Sequence, residues 1–498
     1  MTDPRQPDPG VGEGTPPLRA LDARFLLPSR PRTTVVLGAP VWERGLREVG
    51  VDVLVEGTAI PDLVVTTPGR LRDAIAFHSD MILVVGGVRR ARLRRAGYRT
   101  QTYVVRPGSA RPRMLVPVVA DGLAHDAFVE RLEVRSLSRR ARNGLLARLV
   151  AAGFTMSRDS ITVAQRGSRA PRIIAEALDA AGLAQRSIQW FLELGEGDDL
   201  HRAVFHVGRG HAEWVVKFSR VPGNVGPFDG DERGLAFAAS LGRVAHGHAP
   251  RLLGRLDLDG LPVSVETRVD GRPLSTMLRS RASAEHKHAL IDEIAAWIIE
   301  KNVCSRTLPE AVERERRRLD RDVVSRWIGD GAPWDLVART AAVPGVVLHN
   351  DLGCWNVLVH GTEWGIVDWE DGSAIGLALW DLVYFLTDAL VSVARPTTAA
   401  DALDRSLALL RGDLSTSAVL FAWIRRAVDR LAIPEASVGA LVTLCWLHHG
   451  LSHGTRGELL ARTTAGSEDA RPAPGQIARP WLADPALGSG WDAWRTRG

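Results

Sequence analysis

Between two runs of branched aliphatic residues, Val346 to Leu348 and Val357 to Val359, the chain places His349, Asn350, Asp351 and Asn356, and twelve residues beyond Asn356 stands Asp368 at the end of another apolar run. The simplest explanation is a polar hairpin, since Asn, Asp and Gly are ordinary turn formers. A hairpin accounts for Asn350 to Gly353 but gives no reason for Asn356, nor for an acid after an apolar strand. Phosphoryl transfer does: one carboxylate takes the proton of an attacking hydroxyl, while an amide oxygen and a second carboxylate hold Mg²⁺ against ATP phosphates. Asp351 is the candidate base, and Asn356 and Asp368 are the candidate metal ligands.

The signature His349-Asn350-Asp351 with Asn356, then Ile366-Val367-Asp368-Trp369-Glu370, then Gly376-Leu377-Ala378-Leu379-Trp380-Asp381-Leu382 resembles the aminoglycoside phosphotransferase and choline kinase group of small-molecule kinases. That group often has Gly at the place of Asn350 and Pro at that of Cys354, departures that touch loop shape only. The resemblance implies a two-lobed, α+β, protein-kinase-like domain using ATP and Mg²⁺ to phosphorylate a hydroxyl of an aminoglycoside, a sugar or an amino alcohol. It also implies a strand lysine for the α and β phosphates, and Lys217 in the run Trp214 to Phe218 fits. A buried ammonium without a partner costs several kcal/mol. Glu232, fifteen residues on in the helix-like GDERGLAFAASLG, is the expected ion partner, with Asp231 beside it. Gly195 and Gly197 are placed to let a loop approach the triphosphate, and backbone groups from Glu266 to Val269 are placed to meet adenine. DWEDG in place of DFG, with no activation-loop anchor, separates the chain from protein kinases. Asp381 is expected to orient the catalytic loop.

These residues need a scaffold, and four segments are expected: a disordered tail (1–32), a Rossmann-like α/β domain (33–166), a kinase-like phosphotransferase domain (167–465) and a C-terminal tail (466–498). In the second, short runs such as TTVVLGAP, DLVVTTP and MILVVGG alternate with helix-like stretches, which predicts a parallel sheet. The glycine after its first strand and Glu56 after VDVLV are faintly similar to S-adenosylmethionine-dependent methyltransferases, although one Gly and a Pro replace the usual glycine-rich turn. SRAPRIIAEALDAAG predicts a linking helix. Trp481, Trp491 and Trp494 predict that the last segment docks, because indoles are costly to leave in water.

Composition sets outer limits. Residues 1–150 hold 24 arginines and no lysine against 15 acids, so they carry +9 of a total of +5 and leave −4 for the remainder. Without interleaved aromatics, this basic face fits a solvated surface better than a nucleic-acid site. None of the chain's lysines, Lys217, Lys287 and Lys301, follows a glycine, which excludes a P-loop. Cys304, Cys354 and Cys445 form no CxxC pair. His448, His449 and His453 include an i, i+4 pair but lack the intervening acid of a zinc protease motif, so helix-packing or substrate-pocket roles are expected. The polar N-terminus and the lack of a long apolar run predict a cytoplasmic protein without membrane insertion. The alternatives are a non-catalytic pseudokinase scaffold and a bifunctional methyltransferase-kinase. The acceptor and the oligomeric state are not encoded in any motif.

Overall fold

The computed structural model describes residues 21–48, 50–54, 60–106, 113–118, 123, 127–128, 137–152, 159–167, 169–184, 186–194, 202–328, 335–461, 474–484, 487 and 491–496. The chain divides into two compact units, one of Met1–Asn224 with Leu253–Arg268, the other of Val225–Leu252 with Val269–Gly498.

The first unit is organised by one sheet of twelve strands. In chain order these are β1 (Thr33–Leu37), β2 (Asp52–Val53), β3 (Leu63–Thr66), β4 (Met81–Val85), β5 (Arg99–Arg106), β6 (Met114–Pro117), β7 (Ser160–Gln165), β8 (Gln189–Glu193), β9 (Ala203–Gly208), β10 (Ala212–Phe218), β11 (Leu252–Leu258) and β12 (Leu261–Thr267). Their spatial order is β11-β12-β10-β9-β8-β6-β5-β7-β4-β3-β1-β2. β2, β1, β3 and β4 are parallel, as the alternating pattern predicts. Val64 and Val65 are both buried, in cores on opposite faces of the sheet, which is why these strands are apolar throughout. The parallel run ends at β7, which pairs antiparallel with β4 on one side and with β5 on the other. Short apolar runs carry no mark of strand direction, so this change was not legible in the sequence.

Two expectations about segments change. The disordered tail does not extend to residue 32: Leu21, Phe25 and Leu27 are buried in the sheet's core, and Asp22 forms a buried ion pair with Arg220 at 3.0 Å. The polar, Pro-rich context hides these anchors. Nor does the sheet break between 166 and 187. Met114 and Leu115 of β6 pair with Glu193 and Leu192 of β8, Leu194 donates its N–H to the Arg113 carbonyl at 2.8 Å, and the Trp190 indole donates to the Tyr103 hydroxyl at 2.9 Å. The predicted linking helix exists at Arg172–Ala180, but it lies on this sheet with Ile173, Ile174, Ala177 and Leu178 in the core.

The second unit is mainly helical. Its short strands are β13 (Arg272–Pro273), β14 (Gly345–Leu348), β15 (Val357–His360), β16 (Glu363–Ile366) and β17 (Ser373–Leu377), arranged as a three-stranded sheet, β13-β15-β16, and a pair, β14-β17. The helix Trp380–Val393 is buried on nearly every side, the mark of a central element. The helices Ala284–Cys304, Ala399–Arg411, Ser417–Leu431 and Val438–Ala461 share a core with it. The C-terminal segment docks as its tryptophans predict. Trp481 donates to Thr443 Oγ1 at 3.0 Å and Trp491 to the Leu410 carbonyl at 2.7 Å, and both rings are buried. No helix among the described residues is long and apolar enough to cross a membrane.

Candidate active site

The loop 349–356 leaves β14, which is held antiparallel to β17, and enters β15, which forms a hairpin with β16. Its conformation is fixed from behind. Asp381, at the start of the buried helix Trp380–Val393, accepts the backbone N–H groups of His349 at 2.8 Å and Asn350 at 3.0 Å, as expected of it. Its negative charge is met by Lys301, which donates to Asp381 Oδ2 at 2.7 Å and to the Val347 carbonyl. Both side chains are essentially inaccessible to solvent. Burial pushes the Asp381 carboxyl up, but Lys301 and His349 pull it further down, so it stays ionised below the usual carboxylate range.

His349 is a structural tie. Its Nε2 donates to the Val367 carbonyl at 3.1 Å, and its Nδ1 accepts the Asp351 N–H at 3.3 Å, which requires the neutral tautomer. Burial lowers its pKa in the same sense, against the pull of Asp381. Asn350 takes the left-handed conformation at φ +63° and donates its side-chain amide to the Asp371 carbonyl at 3.0 Å. Further along, Cys354 donates its N–H to Asp388 at 2.8 Å, and its carbonyl accepts from Ser275.

Asp351 and Asn356 are in direct contact. Asn356 Nδ2 donates to the Asp351 carbonyl at 2.8 Å and to Asp351 Oδ2 at 3.1 Å. Trp355 adds an indole contact to the same oxygen at 3.4 Å. With Nδ2 engaged, the hydrogen bonds of the Asn356 side chain leave Oδ1 available as an acceptor. Asp368 follows β16 at φ +68°, after a residue whose N–H donates to the Asn356 carbonyl at 2.9 Å. The backbone therefore couples the two candidate metal ligands. The segment after Asp368 is gripped by the helix Gly226–Ser240: a Cβ on Gly234 would lie 1.9 Å from the Trp369 carbonyl oxygen, and one on Gly230 would lie 2.3 Å from that of Glu370. Only glycine permits this approach.

An amide oxygen and one carboxylate suit Mg²⁺, which is commonly held by one or two protein carboxylates together with substrate phosphates. The described residues contain no cluster of three or more His, Cys, Asp or Glu able to hold a metal on its own.

In the first unit, Lys217 on β10 lies opposite Ser264 of β12, and Glu266 is two residues away on the same face. The ammonium is 2.9 Å from Glu266 Oε1, and both side chains are largely buried. Glu266, expected to contribute backbone, thus presents a carboxylate to the lysine. In the second unit Glu232 is on the exposed side of its helix and Asp231 is buried, because Gly230 and Gly234 turn the neighbouring stripe inward. Val269 packs against Gly365, where a Cβ would come within 2.6 Å of its methyl carbon. Gly195, Gly197 and Glu56 lie outside the described residues.

The histidines of the long C-terminal helix have packing roles. His448 stacks on Trp380 with centroids 5.0 Å apart and His449 on Tyr384 at 4.0 Å. The side chain of His453 lies outside the described part of that helix. Sequence reasoning missed Lys301, whose signal was present: a rare lysine continuing the buried stripe Ile291, Ile294, Ile298 of an apolar helix. It also missed Asp388 and the pair Gly230 and Gly234.

Residues 195–415 match the phosphotransferase enzyme family. Similar solved structures include aminoglycoside phosphotransferase APH(3'')-Id from Streptomyces rimosus, at 16% identity over 54% of this chain and 95% of that one, with a TM-score of 0.32. An aminoglycoside-3'-phosphotransferase of type VIII matches at 18% identity over 55% and 98%, with a TM-score of 0.33. The Streptomyces rimosus protein in complex with ADP and streptomycin matches at 18% over 49% and 92%, with a TM-score of 0.30. No curated protein matches. The loop that joins Asp351 to Asn356 lies within residues 195–415, the stretch that matches the phosphotransferase enzyme family.

Proposed function

We propose that the protein transfers the γ-phosphoryl group of ATP to a hydroxyl of a small polar molecule of the aminoglycoside, sugar or amino-alcohol class, with Mg²⁺ as the cation. The observation that carries this reading is the Asp351–Asn356 contact, in which the amide N–H group holds the carboxylate and the amide oxygen is left for a metal. Asp351 accepts the proton of the acceptor hydroxyl as the oxygen attacks phosphorus. Asn356 and Asp368 would hold Mg²⁺, which when bound neutralises the developing phosphate charge. Lys217, oriented by Glu266, supplies positive charge to the α and β phosphates. His349 stays neutral, and its hydrogen bonds fix the loop without moving a proton.

The test is a thermal shift with ATP, with and without MgCl₂, in the wild type and in Asp368→Asn. A Mg²⁺-dependent stabilisation that Asp368→Asn abolishes is expected. Once an acceptor is found, Asp351→Asn lowers kcat by about 10²- to 10⁴-fold. A wild type that ignores ATP under both conditions removes the catalytic reading in favour of a non-catalytic scaffold.

A further inference from the structure

The proposed chemistry gives no task to Trp355, the residue just before Asn356. Packing is the ordinary duty of an indole in a loop, and the neighbouring rings of Tyr384, Trp380 and Trp446 are buried. Trp355 is only half-buried, so apolar burial accounts for part of its ring. Its seat is nevertheless closely specified. The benzo ring lies against Gly353, where a Cβ would come within 2.2 Å of Cη2, 2.3 Å of Cζ3 and 2.4 Å of Cζ2. Only glycine leaves that space. Gly353 is itself tied into the loop: its N–H donates to the Asp351 carbonyl at 2.9 Å, and its carbonyl accepts the Asn356 N–H at 3.0 Å. Tyr384 meets the indole edge-on, with centroids 5.9 Å apart and planes at 86°, and is backed by His449 stacked at 4.0 Å. Cys354, the preceding residue, is pinned by Asp388 and Ser275.

These contacts fix where the indole N–H points. It reaches Asp351 Oδ2 at 3.4 Å, the same oxygen that takes Asn356 Nδ2 at 3.1 Å. The terminal torsion of an aspartate is broad and roughly two-fold, so one donor leaves the carboxylate plane able to rock. Donors arriving at one oxygen from separate side chains define that plane. A base that takes a proton while the hydroxyl oxygen attacks gains from this, because reactivity is lost steeply when catalytic groups are misplaced. A contact of 3.4 Å is long for a hydrogen bond, and such contacts at catalytic groups commonly tighten when substrate binds. Other indoles of this unit also donate to carboxylates, Trp364 to Glu293 at 2.9 Å and Trp423 to Asp292 at 2.8 Å, but those acids lie outside the loop.

We propose that Trp355 is a positioning residue for Asp351: its N–H, together with the Asn356 amide, holds the carboxylate plane in the orientation in which it takes the proton. This rests on the reading of Asp351 as the base of phosphoryl transfer.

The first test is spectroscopic. In ¹H–¹⁵N spectra of the whole chain labelled at its tryptophan indoles, the Trp355 resonance is assigned by its loss in Trp355→Phe. Asp351→Asn keeps the shape of the acceptor and removes its charge, and is expected to move that resonance upfield by more than any other indole. A Trp355 resonance that stays in place overturns the proposal. The second test is ADP release from ATP in MgCl₂ with water as the attacking group: Asp351 takes a proton from water as the water oxygen bonds to the γ-phosphorus and ADP leaves. Trp355→Phe keeps a ring against Gly353 and Tyr384 and loses the donor, so kcat should fall by about 3- to 10-fold while KM for ATP stays at the wild-type value. Trp364→Phe removes an indole–carboxylate bond outside the loop and should keep the wild-type kcat. A change confined to KM, an unchanged kcat in Trp355→Phe, or an equal loss in Trp364→Phe overturns the proposal, since the indole would then be a packing group alone. The two readings fail separately. A wild type that ignores ATP and Mg²⁺ in the thermal-shift test removes Asp351 as a base, whereas the indole resonance reports the Trp355 contact whether or not phosphate is transferred.

Discussion

Replacing Lys301 with Met tests the support of the catalytic loop. The substitution keeps the length and apolar body of the side chain but removes the charge that faces Asp381 at 2.7 Å. Asp381 would retain the two loop N–H donors, yet its charge would be left in the interior without a cation. Breaking one side of a buried pair costs about 3–5 kcal/mol, and the Val347 carbonyl also loses its Lys301 donor. Urea unfolding at pH 7, followed by tryptophan fluorescence, should therefore show Lys301→Met destabilised by that amount. The double variant Lys301→Met/Asp381→Asn should cost clearly less than the sum of the single variants, because the second change removes the stranded charge. The native Asp381 carboxyl lies below its unfolded value, so the pair's contribution is complete above the ordinary carboxylate range and disappears as the pH falls through the depressed native value. A Lys301→Met cost below about 1 kcal/mol, or additive single variants, would refute the reasoning.

Gly234→Ala should destabilise by about 1–3 kcal/mol and lower kcat, because its methyl group meets the Trp369 carbonyl beside Asp368. Gly226→Ala, in the same helix with open space around it, is the control, and equal behaviour of the two would remove the close-packing argument. His448 is the pH prediction: burial, then Arg318, lowers its pKa to about 3. Because the native value lies below the unfolded one, its contribution is present above about pH 6.5 and is lost as pH falls toward 3, at up to about 1.4 kcal/mol per pH unit. The acid-side slope of unfolding free energy against pH should flatten in His448→Gln, and an unchanged slope would show that another group titrates there.

The grouping of the loop's polar residues was legible because it is local. Asp351 and Asn356 are five residues apart, and Asp368 follows the next hairpin, so spacing alone indicates a shared role. The role of Asp381 could likewise be anticipated from the signature, and the docking of Trp481 and Trp491 from the cost of exposing indoles. The parallel β1, β3 and β4 were visible as apolar runs alternating with helices. Tertiary structure decided what depends on partners distant in sequence. Lys301 reads as an oddity until the fold carries Asp381, 80 residues away, to its ammonium. Glu266 reads as a backbone contributor until strand register sets its carboxylate diagonal to Lys217. The boundary near residue 166 follows naturally from composition, yet β6 and β8 need each other's backbone hydrogen bonds, and composition does not record pairing. Sequence specifies which groups are available and which face of an element is apolar, whereas register and chain crossing determine which of those groups meet.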